Sequence, residues 1–462
     1  MYQINLHNVE NKYEFEELTK IFLPPEDFDM VLDGETPKTA ENGAEAGDIR
    51  ILNINLSGGA AKEDIKCELY KALSKETGKT PAWGTLTGVR PVKLAGKLVS
   101  ENGSSGADRL LSEKYLLSDK KKDLILDTYR YQQEHLGKPD DKSFGLYVGI
   151  PFCPTRCLYC SFTSNQKGEG EIAGYLNALY REIEFAGELA RKRGYSPESI
   201  YIGGGTPTTI SADQMDVLLG RIKKAFDTKS LKEFTVEAGR PDTITYQKLG
   251  TLLMHGIERI SINPQTMKDE TLKLIGRAHS ADDTRAAMKL ASEMKVPYIN
   301  MDLIAGLPEE SPQDFAETLA EILDYRPANI TVHTLAVKKA SLLIEKDPDY
   351  HYRHGMVVAE MLEEAEKSLR NAGYIPYYLY RQKHMTGAFE NIGWCRDDAF
   401  CTYNIRIMEE QQTIAALGAG GISKQYYPAE DRLERVPNVS NYEIYIERLD
   451  EMLERKELNL FK

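Results

Sequence analysis

Residues 146–160 read LYVGIPFCPTRCLYC, an apolar run followed at once by three closely spaced cysteines. The run Leu146–Ile150 predicts a buried β-strand, because a short apolar segment that ends at a proline is typical of a strand in a parallel sheet. Cys153, Cys157 and Cys160 follow in the loop after that strand. Ligands of open α/β folds bind at the carboxyl ends of the strands. The stretch therefore predicts an α/β fold with a functional loop at this strand end.

The spacing of the three cysteines indicates their chemistry. Separations of four and three residues suit three irons of a [4Fe–4S] cluster and leave the fourth iron open to a substrate or cofactor. Zinc is the alternative, but a structural zinc site normally has four ligands, and no further His or Cys lies nearby in the sequence. Three buried thiols without a metal are a further alternative. The spacing favours the cluster, with Cys153, Cys157 and Cys160 as its ligands.

Five further apolar runs repeat the pattern of a strand followed by an amphipathic helix. One such helix carries Met215, Leu218, Leu219 and Ile222 on one face. Together with Leu146–Ile150, the runs predict six βα units that curl into a partial (β/α)6 barrel. The five predicted strands are Ile200–Ile202, Phe234–Glu237, Arg259–Ile262, Tyr298–Ile304 and Ile330–Leu335.

The residues before and after the barrel in the sequence predict further domains. Strand patterns at Tyr2–Leu6 and Ile49–Leu56, with a helix between Ile65 and Leu73, predict a small α/β domain at the start. A mostly helical connector ends at a Gly-Lys-Pro cluster, and after the barrel the alternation stops in favour of a helix and strand cap. The predicted domains are 1–79, 80–142, 143–345 and 346–462.

Composition limits the function classes. The 462 residues hold 41% hydrophobic and 28% charged residues, which excludes wholesale disorder. The net charge of −13 disfavours nucleic acid as a partner, because an acidic surface repels phosphates. The sequence contains no apolar run of transmembrane length and no signal peptide at Met1–Glu10, so we expect a cytoplasmic protein.

Other cysteine and histidine residues carry weaker signals. Cys395 and Cys401 could form a redox or metal pair, but we interpret them as free thiols because no further ligands lie near them. Cys67 lies at the edge of an apolar helix stripe and is interpreted as a packing residue. His333 in the sixth predicted strand is typical of a satisfied core histidine.

Polar residues and glycines follow several of the predicted strands. Gly203–Gly205 ends the second strand, where we expect unobstructed backbone amides to approach a ligand, with a plain turn as the alternative. Glu237 ends the third strand and could accept hydrogen bonds from a ribose or an amine, or form a strand-end ion pair. Asp302 lies within an apolar run and needs a partner or a ligand. Gln265 and Arg277, taken singly, are typical of solvated side chains.

The cysteine motif, with Tyr159 just before its third cysteine, resembles the signature of radical SAM enzymes. The resemblance implies that the open iron chelates the amino and carboxylate groups of S-adenosyl-L-methionine (SAM). It also implies that one electron from the cluster releases a 5′-deoxyadenosyl radical. Tyr159 would lie against the cluster and the cofactor.

Four segments together resemble the oxygen-independent coproporphyrinogen III oxidase (dehydrogenase) family and its heme-chaperone relatives. The similarity runs from about Leu146 to Lys424, and the preceding residues resemble only the subgroup that carries an N-terminal extension. The segments are Tyr147-x-x-Ile-Pro-Phe-Cys153, Gly203-Gly-Gly-Thr-Pro207, Val236-Glu-Ala238 and Asp302-Leu-Ile-x-Gly-Leu-Pro308.

The family resemblance also implies two groups of SAM contacts. One SAM on the cluster would contact the positions Tyr147, Gly204, Glu237 and Ile422. A second SAM would contact the positions Gly205, Thr206, Gln265, Arg277, Asp302 and Ala336.

The activity that the resemblance implies is oxidative decarboxylation of coproporphyrinogen III, in porphyrin and heme biosynthesis. The implied partners are the tetrapyrrole and an electron donor such as flavodoxin or ferredoxin. Two positions depart from the family pattern: Phe162 replaces the fourth cysteine of the oxidases, and Gly149 replaces a usual histidine. The alternatives are a heme-binding chaperone without decarboxylase activity and a radical methyltransferase that opens heme anaerobically.

Overall fold

The computed structural model describes residues 1–37, 49–54, 61–162, 164–337, 341–347, 350, 354–382 and 385–462. Two compact units make up the fold. The first contains Met1–Arg130 with two short later segments, and the second contains most of the chain from Tyr131 onward. The first unit thus contains residues of both predicted domains 1–79 and 80–142, and the second contains residues of the predicted domains 143–345 and 346–462. The limits of the four predicted domains stay a prediction.

The first unit contains a small parallel sheet and several helices. Its strands β1 (Tyr2–Leu6), β2 (Phe28–Leu32) and β3 (Arg50–Ile54) pair in the order β2-β1-β3. The predicted strand Ile49–Leu56 overlaps β3, and residues 55 and 56 lie outside the described residues. The first helices of the chain are α1 (Tyr13–Thr19), α2 (Lys62–Thr77), α3 (Pro91–Glu113) and α4 (Asp119–His135).

The predicted apolar helix face in the first unit is confirmed. Ile65, Leu69 and Leu73 of α2 are buried, since residues spaced by four lie on one side of a helix. They pack in one core with residues of β1 and α1, including Ile4 and Phe15.

The second unit contains one sheet of eleven strands, which runs in the order β10-β11-β9-β8-β7-β6-β5-β4-β12-β13-β14. All six predicted barrel strands are present, with small shifts at their ends. The strands are β4 (Ser143–Ile150), β5 (Ser196–Gly204), β6 (Glu233–Glu237), β7 (Arg259–Ser261), β8 (Tyr298–Ala305), β9 (Asn329–Thr334), β10 (Ile375–Tyr380), β11 (Asn391–Cys395), β12 (Thr413–Leu417), β13 (Ile422–Tyr427) and β14 (Arg432–Pro437).

The C-terminal strands β10–β14 belong to the same sheet as the barrel strands. β4–β9 are parallel neighbours, and β12 adds a further parallel strand beside β4. β11 pairs antiparallel with β9, whereas β13 and β14 continue antiparallel beyond β12. Every residue of β12 is buried, which fits a strand inside a sheet rather than one at its edge.

Helices connect the parallel strands, and serines cap several of them. Ser211, Ser280 and Ser311 each accept a hydrogen bond from a backbone N–H of the first helical turn in a capping box. The helices of the second unit after α4 are α5 (Glu169–Lys192), α6 (Ala212–Ala225), α7 (Tyr246–Met254), α8 (Asp269–Leu274), α9 (Ala281–Glu293), α10 (Pro312–Asp324), α11 (Leu343–Lys346), α12 (Gly355–Asn371), α13 (Thr402–Glu409), α14 (Tyr442–Glu447) and α15 (Leu449–Asn459).

Strand register divides the sheet into a polar and an apolar face. Tyr147 pairs with Tyr201 and Asp302 with Thr331, and paired residues of parallel strands point to the same side. Following the register from strand to strand places Glu237 on that side too. Residues on the other face are buried and apolar, among them Val148 and Ile202. In the described part of the chain, no helix has the length and apolar character needed to cross a membrane.

Candidate functional site at the carboxyl ends of the strands

The three cysteines lie in the loop between β4 and α5. Backbone hydrogen bonds shape it: Cys153 N donates to Asn165 O at 3.0 Å, and Leu158 N donates to Ile275 O at 2.8 Å. Cys157 is buried, and the other two thiols are half-buried. Burial, with smaller contributions from the charges of Cys160 and Cys157, raises the pKa of Cys153 to about 11. The loop therefore brings the three thiols into mutual electrostatic range.

The end of β5 lies directly against the cysteine loop. Thr206 Oγ1 donates to Cys153 Sγ at 3.5 Å. A Cβ at Gly205 would lie 2.8 Å from Cys153 Sγ and 2.5 Å from Phe152 O, too close for any side chain. Gly204 has φ +115°, a region that other residues rarely adopt. Glycines are therefore required here by close packing.

The expectation that the backbone amides of this glycine run approach a ligand is wrong for Gly205, and the amide of the following Thr206 is also bonded within the protein. Gly205 N donates to Ile150 O at 2.8 Å, and Thr206 N donates to Phe152 O at 2.8 Å. These amides fasten the cysteine loop to the sheet, because β4 and β5 are parallel neighbours whose ends meet.

Arg240 makes a second contact with the cysteine loop. Arg240, which is buried, donates from Nη1 to Thr155 Oγ1 at 2.8 Å, and Thr155 Oγ1 donates to Gly276 O at 3.2 Å. Asp242 accepts from Arg240 at 3.1 and 3.2 Å. Sequence reasoning missed Arg240 and Thr155. The signal available was their position, since both follow the ends of parallel strands.

Tyr159 and Arg277, 118 residues apart, are brought together. Arg277 Nη2 donates to Tyr159 Oη at 3.0 Å, and Nη1 donates to Gly239 O at 3.4 Å. The buried Nε of Arg277 has no hydrogen-bond partner within the described structure. Burial raises the pKa of Tyr159 well above its ordinary value, so its hydroxyl stays protonated.

Glu237 ends β6, and its carboxyl group accepts hydrogen bonds but forms no ion pair with a described residue. Tyr201 Oη donates to Glu237 Oε1 at 2.6 Å. Burial nevertheless raises the pKa of Glu237 to about 7, and the negative charge of Asp302 adds to this effect. The carboxyl group can therefore be ionised near neutral pH and accept hydrogen bonds from an amine or a ribose.

Three tyrosine rings lie beside Glu237. Tyr147 and Tyr201 are stacked with centroids 6.4 Å apart, and Tyr403 stacks on Tyr201 at 4.7 Å. Tyr147 was predicted from the sequence, whereas Tyr201 and Tyr403 were missed. Tyr201 could have been found from strand alternation, because it lies two residues before Gly203 in β5.

Asp302 lies on the polar face of β8, beside the side chains of Asn300 and His333. Asn300 Nδ2 donates to Asp302 Oδ1 at 2.7 Å, and His333 Nε2 lies 3.6 Å from Asp302 Oδ2. Burial opposes ionisation, but the hydrogen bonds and the charge of His333 outweigh it and hold the pKa of Asp302 below its ordinary value. His333, expected as a core histidine, is half-buried beside this predicted site residue.

The remaining predicted residues lie at the same end of the sheet. Gln265, with φ +68°, bonds through its backbone to Asp302 O and Ile304 N at 3.0 and 3.1 Å. Its buried Oε1 has no hydrogen-bond partner in the described structure. Ala336 follows β9 and forms a bridge with Met385. Ile422 is 47% exposed and follows the turn after β12.

These residues fit an iron–sulfur cluster with a polar ligand beside it. The three thiols share one loop, the adjacent glycines leave no side chain in the way, and buried polar atoms of Gln265 and Arg277 have no hydrogen-bond partner among the described residues. Among the described residues, no group of three His, Cys, Asp or Glu could hold a metal ion. In a cluster, however, the thiolates bind different irons.

The other cysteines do not join this site. Cys395 and Cys401 are buried free thiols, as predicted. Cys401 Sγ donates to Glu233 Oε1 at 3.0 Å, at the amino end of β6, and Cys395 Sγ lies 3.3 Å from Tyr131 Oη. Cys67 on α2 is also free and half-buried.

Comparisons with known proteins agree with this geometry. Residues 147–322 match the model of the Radical SAM superfamily. The oxygen-independent coproporphyrinogen-III oxidase-like protein HemZ of Bacillus subtilis (strain 168) is 39% identical over 402 residues, 86% of this chain and 80% of that protein. The heme chaperone HemW of Escherichia coli (strain K12) is 28% identical over 284 residues, 61% of this chain and 70% of that protein.

A solved structure supports the fold. Coproporphyrinogen III oxidase (HemN) from Escherichia coli, described as a radical SAM enzyme, matches with a TM-score of 0.53 and 21% identity, over 70% of this chain and 73% of that chain. The radical SAM domain implies a [4Fe–4S] cluster and SAM as cofactors. The family resemblance seen in the motifs is confirmed: the chain belongs to the radical SAM superfamily and, within it, to the oxygen-independent coproporphyrinogen-III oxidase-like family.

Proposed function

We propose that this chain uses a [4Fe–4S] cluster on Cys153, Cys157 and Cys160 to cleave SAM and to decarboxylate coproporphyrinogen III oxidatively. The observation that carries the proposal is the packing of Gly205 and Thr206 against Cys153, which joins the cluster loop to the polar strand ends. When bound, the cluster and SAM would supply a 5′-deoxyadenosyl radical for removal of a hydrogen atom from a propionate side chain. The propionate would then release CO2 and pass one electron to an external one-electron acceptor, which leaves a vinyl group.

The chain itself positions and shields the reactants. Tyr147 and Glu237 border the place of the cofactor, and Glu237 would accept hydrogen bonds from its amine or ribose. Arg240 and Thr155 keep the loop closed on the sheet, which limits access of water and oxygen. A protein electron carrier such as flavodoxin or ferredoxin would deliver the first electron.

A second SAM is part of the proposal. Arg277 and Gln265 each leave a buried polar atom without a partner in the described structure, and both lie near Asp302 or Tyr159. The further contacts would come from Gly205, Thr206 and Ala336. Equilibrium dialysis with radiolabelled SAM under nitrogen would give two equivalents per chain, and an Arg277→Ala variant should retain one.

The names of the relatives support the substrate class. The Bacillus subtilis relative is called oxidase-like, and the Escherichia coli relative is called a heme chaperone. Both names refer to a tetrapyrrole. We therefore propose a tetrapyrrole as the partner, with decarboxylation as the reaction.

Heme trafficking without decarboxylation is the second candidate, and Phe162 favours it. Its ring is 68% exposed directly after the cysteine loop, where the resembling oxidases carry a fourth cysteine. An exposed aromatic ring is suited to contact a flat apolar macrocycle.

One experiment separates the candidates. The reconstituted protein is incubated under nitrogen with SAM, a reductant and either coproporphyrinogen III or heme, and the tetrapyrrole is analysed by mass spectrometry. Loss of one CO2 and two hydrogens per propionate supports the oxidase. Heme that binds without a change of mass supports the chaperone, and an opened or methylated heme supports a methyltransferase. Failure to bind either compound with the cluster intact contradicts the substrate class.

A further inference from the structure

A fully buried ion pair joins two helices that sequence reasoning left unconnected. Glu182 of α5 and Lys456 of α15 are both 0% exposed, and Lys456 Nζ lies 3.0 Å from Glu182 Oε1. Asn438 Nδ2 donates to the same oxygen at 2.8 Å, and Tyr445 Oη donates to Glu182 Oε2 at 2.6 Å. The carboxylate is thus saturated with donors.

The fourth donor to Glu182 comes from the glycine-rich turn, residues 418–421, between β12 and β13. Gly418 N donates to Glu182 Oε2 at 2.7 Å. Asn438 Nδ2 donates to Gly418 O at 2.8 Å, so the same amide group contacts both the carboxylate and the turn. The buried pair therefore fixes the backbone of the first turn residue.

Tyr175 connects this turn to the end of β4. Ala419 N donates to Tyr175 Oη at 3.1 Å, and Tyr175 Oη donates to Gly149 O at 2.6 Å. A Cβ at Gly418 would lie 2.5 Å from Tyr175 Oη and 2.6 Å from Gly149 O. The turn, the tyrosine and the strand end are in direct contact, with no space for adjustment.

The turn borders the candidate cofactor site. Leu417 pairs in parallel with Val148, so β12 and β4 end side by side, and the cysteine loop begins two residues after Gly149. Ile422, which follows the turn, is 47% exposed and is one of the residues proposed to contact SAM. The network therefore lies directly behind one wall of the site.

We propose that Glu182, Lys456 and Tyr175 are positioning residues for SAM. They would hold the turn and Gly149 in the arrangement that the cofactor needs, so that α15 contributes to SAM affinity without touching SAM. The inference rests on the proposed function in so far as Ile422 and Tyr147 border SAM. A buried ion pair adds little stability compared with a well-packed apolar pair, whereas it can specify one geometry.

The sharpest test removes a single hydroxyl. Tyr175→Phe deletes both bonds between the turn and Gly149, and the matched control Tyr374→Phe deletes an equally short 2.6 Å bond to Pro327 O at the amino end of β9. We expect Tyr175→Phe to raise the SAM dissociation constant about tenfold, with the iron content unchanged. Hydrogen–deuterium exchange of residues 417–422 should become faster even without SAM. Tyr374→Phe should change neither quantity.

A double variant tests the ion pair. Glu182→Gln with Lys456→Met removes both charges, and Glu198→Gln with Arg406→Met does the same to a buried pair between the amino end of β5 and the middle of α13. Weaker SAM binding in the first variant alone supports the proposal. Equal weakening in both variants, or unchanged SAM binding in the first variant and in Tyr175→Phe, overturns it.

SAM binding and decarboxylation by the parent protein distinguish a failure of this inference from a failure of the proposed function. A parent that binds no SAM with its cluster intact would overturn both. A parent that binds SAM and decarboxylates no tetrapyrrole would overturn the proposed function, and the comparison of Tyr175→Phe with Tyr374→Phe would still decide the positioning role.

Discussion

Two glutamates at opposite ends of neighbouring strands have pKa values shifted in opposite directions. Glu198, near the start of β5, contacts Arg406 at 2.9 and 3.1 Å and Lys232 at 2.9 Å. Burial opposes its ionisation, but the hydrogen bonds and charge of Arg406 outweigh burial and lower the pKa of Glu198 to about 2. Glu237, at the end of β6, accepts hydrogen bonds from Tyr201 and from the backbone of Gly204 but forms no ion pair with a described residue, and burial raises its pKa to about 7.

The difference indicates that buried charges at the amino ends of the strands stabilise the fold, whereas groups at the carboxyl ends are available to bind a ligand. At the amino ends, buried charges are neutralised by partners within the protein, as in Glu198 with Arg406 and in Glu233 with Arg259. At the carboxyl ends, Glu237 is not neutralised, and Gln265 keeps a buried oxygen without a partner in the described structure. Groups held in this way are available to a ligand.

The largest contrast is expected from removing one thiol at the carboxyl ends of the strands and one at their amino ends. Cys157→Ala should abolish the absorbance of the [4Fe–4S] cluster, since each thiolate would hold one iron. Cys401→Ala, at the amino end of β6, should keep full iron content and lose only packing and one weak hydrogen bond. Iron and sulfide assays after anaerobic reconstitution measure both. Equal iron in the two variants would contradict the assignment of the cluster loop.

The next largest effect is expected on the free energy of unfolding, from a change at the amino ends of the strands. Arg406→Met leaves Glu198 buried without its main cation, and we expect a loss of about 3–5 kcal/mol in the free energy of unfolding. The midpoint of urea unfolding measures this loss, and SAM affinity should stay at the parent value. A variant that unfolds like the parent would show that this pair does not stabilise the sheet.

The pH dependence of stability should differ in sign between the two glutamates. The folded-state pKa of Glu237, about 7, exceeds the ordinary 4.5, so the folded protein binds the extra proton between these values. The stability from Glu237 is therefore full below pH 4.5 and is lost as pH rises through 7, by about 1–3 kcal/mol. For Glu198 the stability is present above pH 4.5 and is lost as pH falls toward 2.

Paired variants test the two signs. Glu237→Gln should remove the loss between pH 4.5 and 7, and Glu198→Gln should remove the loss between pH 4.5 and 2. Urea midpoints across the pH range, relative to the parent, give both profiles. Profiles of the same sign would mean that the two ends are electrostatically alike.

The smallest effect is expected from Tyr201→Phe. Loss of the hydroxyl removes the 2.6 Å bond to Glu237 and should weaken SAM binding by about 1 kcal/mol, roughly fivefold. Thr402→Ala is the control, because its backbone N–H still donates to Glu233. Dialysis with labelled SAM measures both variants. Unchanged binding in Tyr201→Phe would separate this hydroxyl from the cofactor.

Local patterns in the sequence predict the parallel strands and the position of the site. Apolar runs such as Leu146–Ile150 and Tyr298–Ile304 lie inside observed strands, and the cysteine loop follows β4 as predicted. The place of β12 beside β4 was not predictable, because its five residues are each 269 positions from their partners in the sequence and no periodicity encodes that pairing.

Long-range contacts explain what sequence reasoning missed in the site. Arg240 reaches Thr155 across 85 residues, and Lys456 reaches Glu182 in another helix. Neither pair leaves a motif, because each side chain alone is an ordinary charged or polar residue. The glycine run was recognised, but its role as packing against Cys153 depends on coordinates that only the folded sheet provides.

Quantification of 5′-deoxyadenosine tests most directly that the carboxyl ends of these strands form a radical SAM site. Reconstituted protein is incubated under nitrogen with SAM and dithionite, and the products are separated by chromatography. We predict 5′-deoxyadenosine and methionine in equal amounts from the parent and from Cys401→Ala, and none from Cys157→Ala. A parent with a complete [4Fe–4S] cluster that forms no 5′-deoxyadenosine, or one that takes up one zinc and no iron, would contradict it.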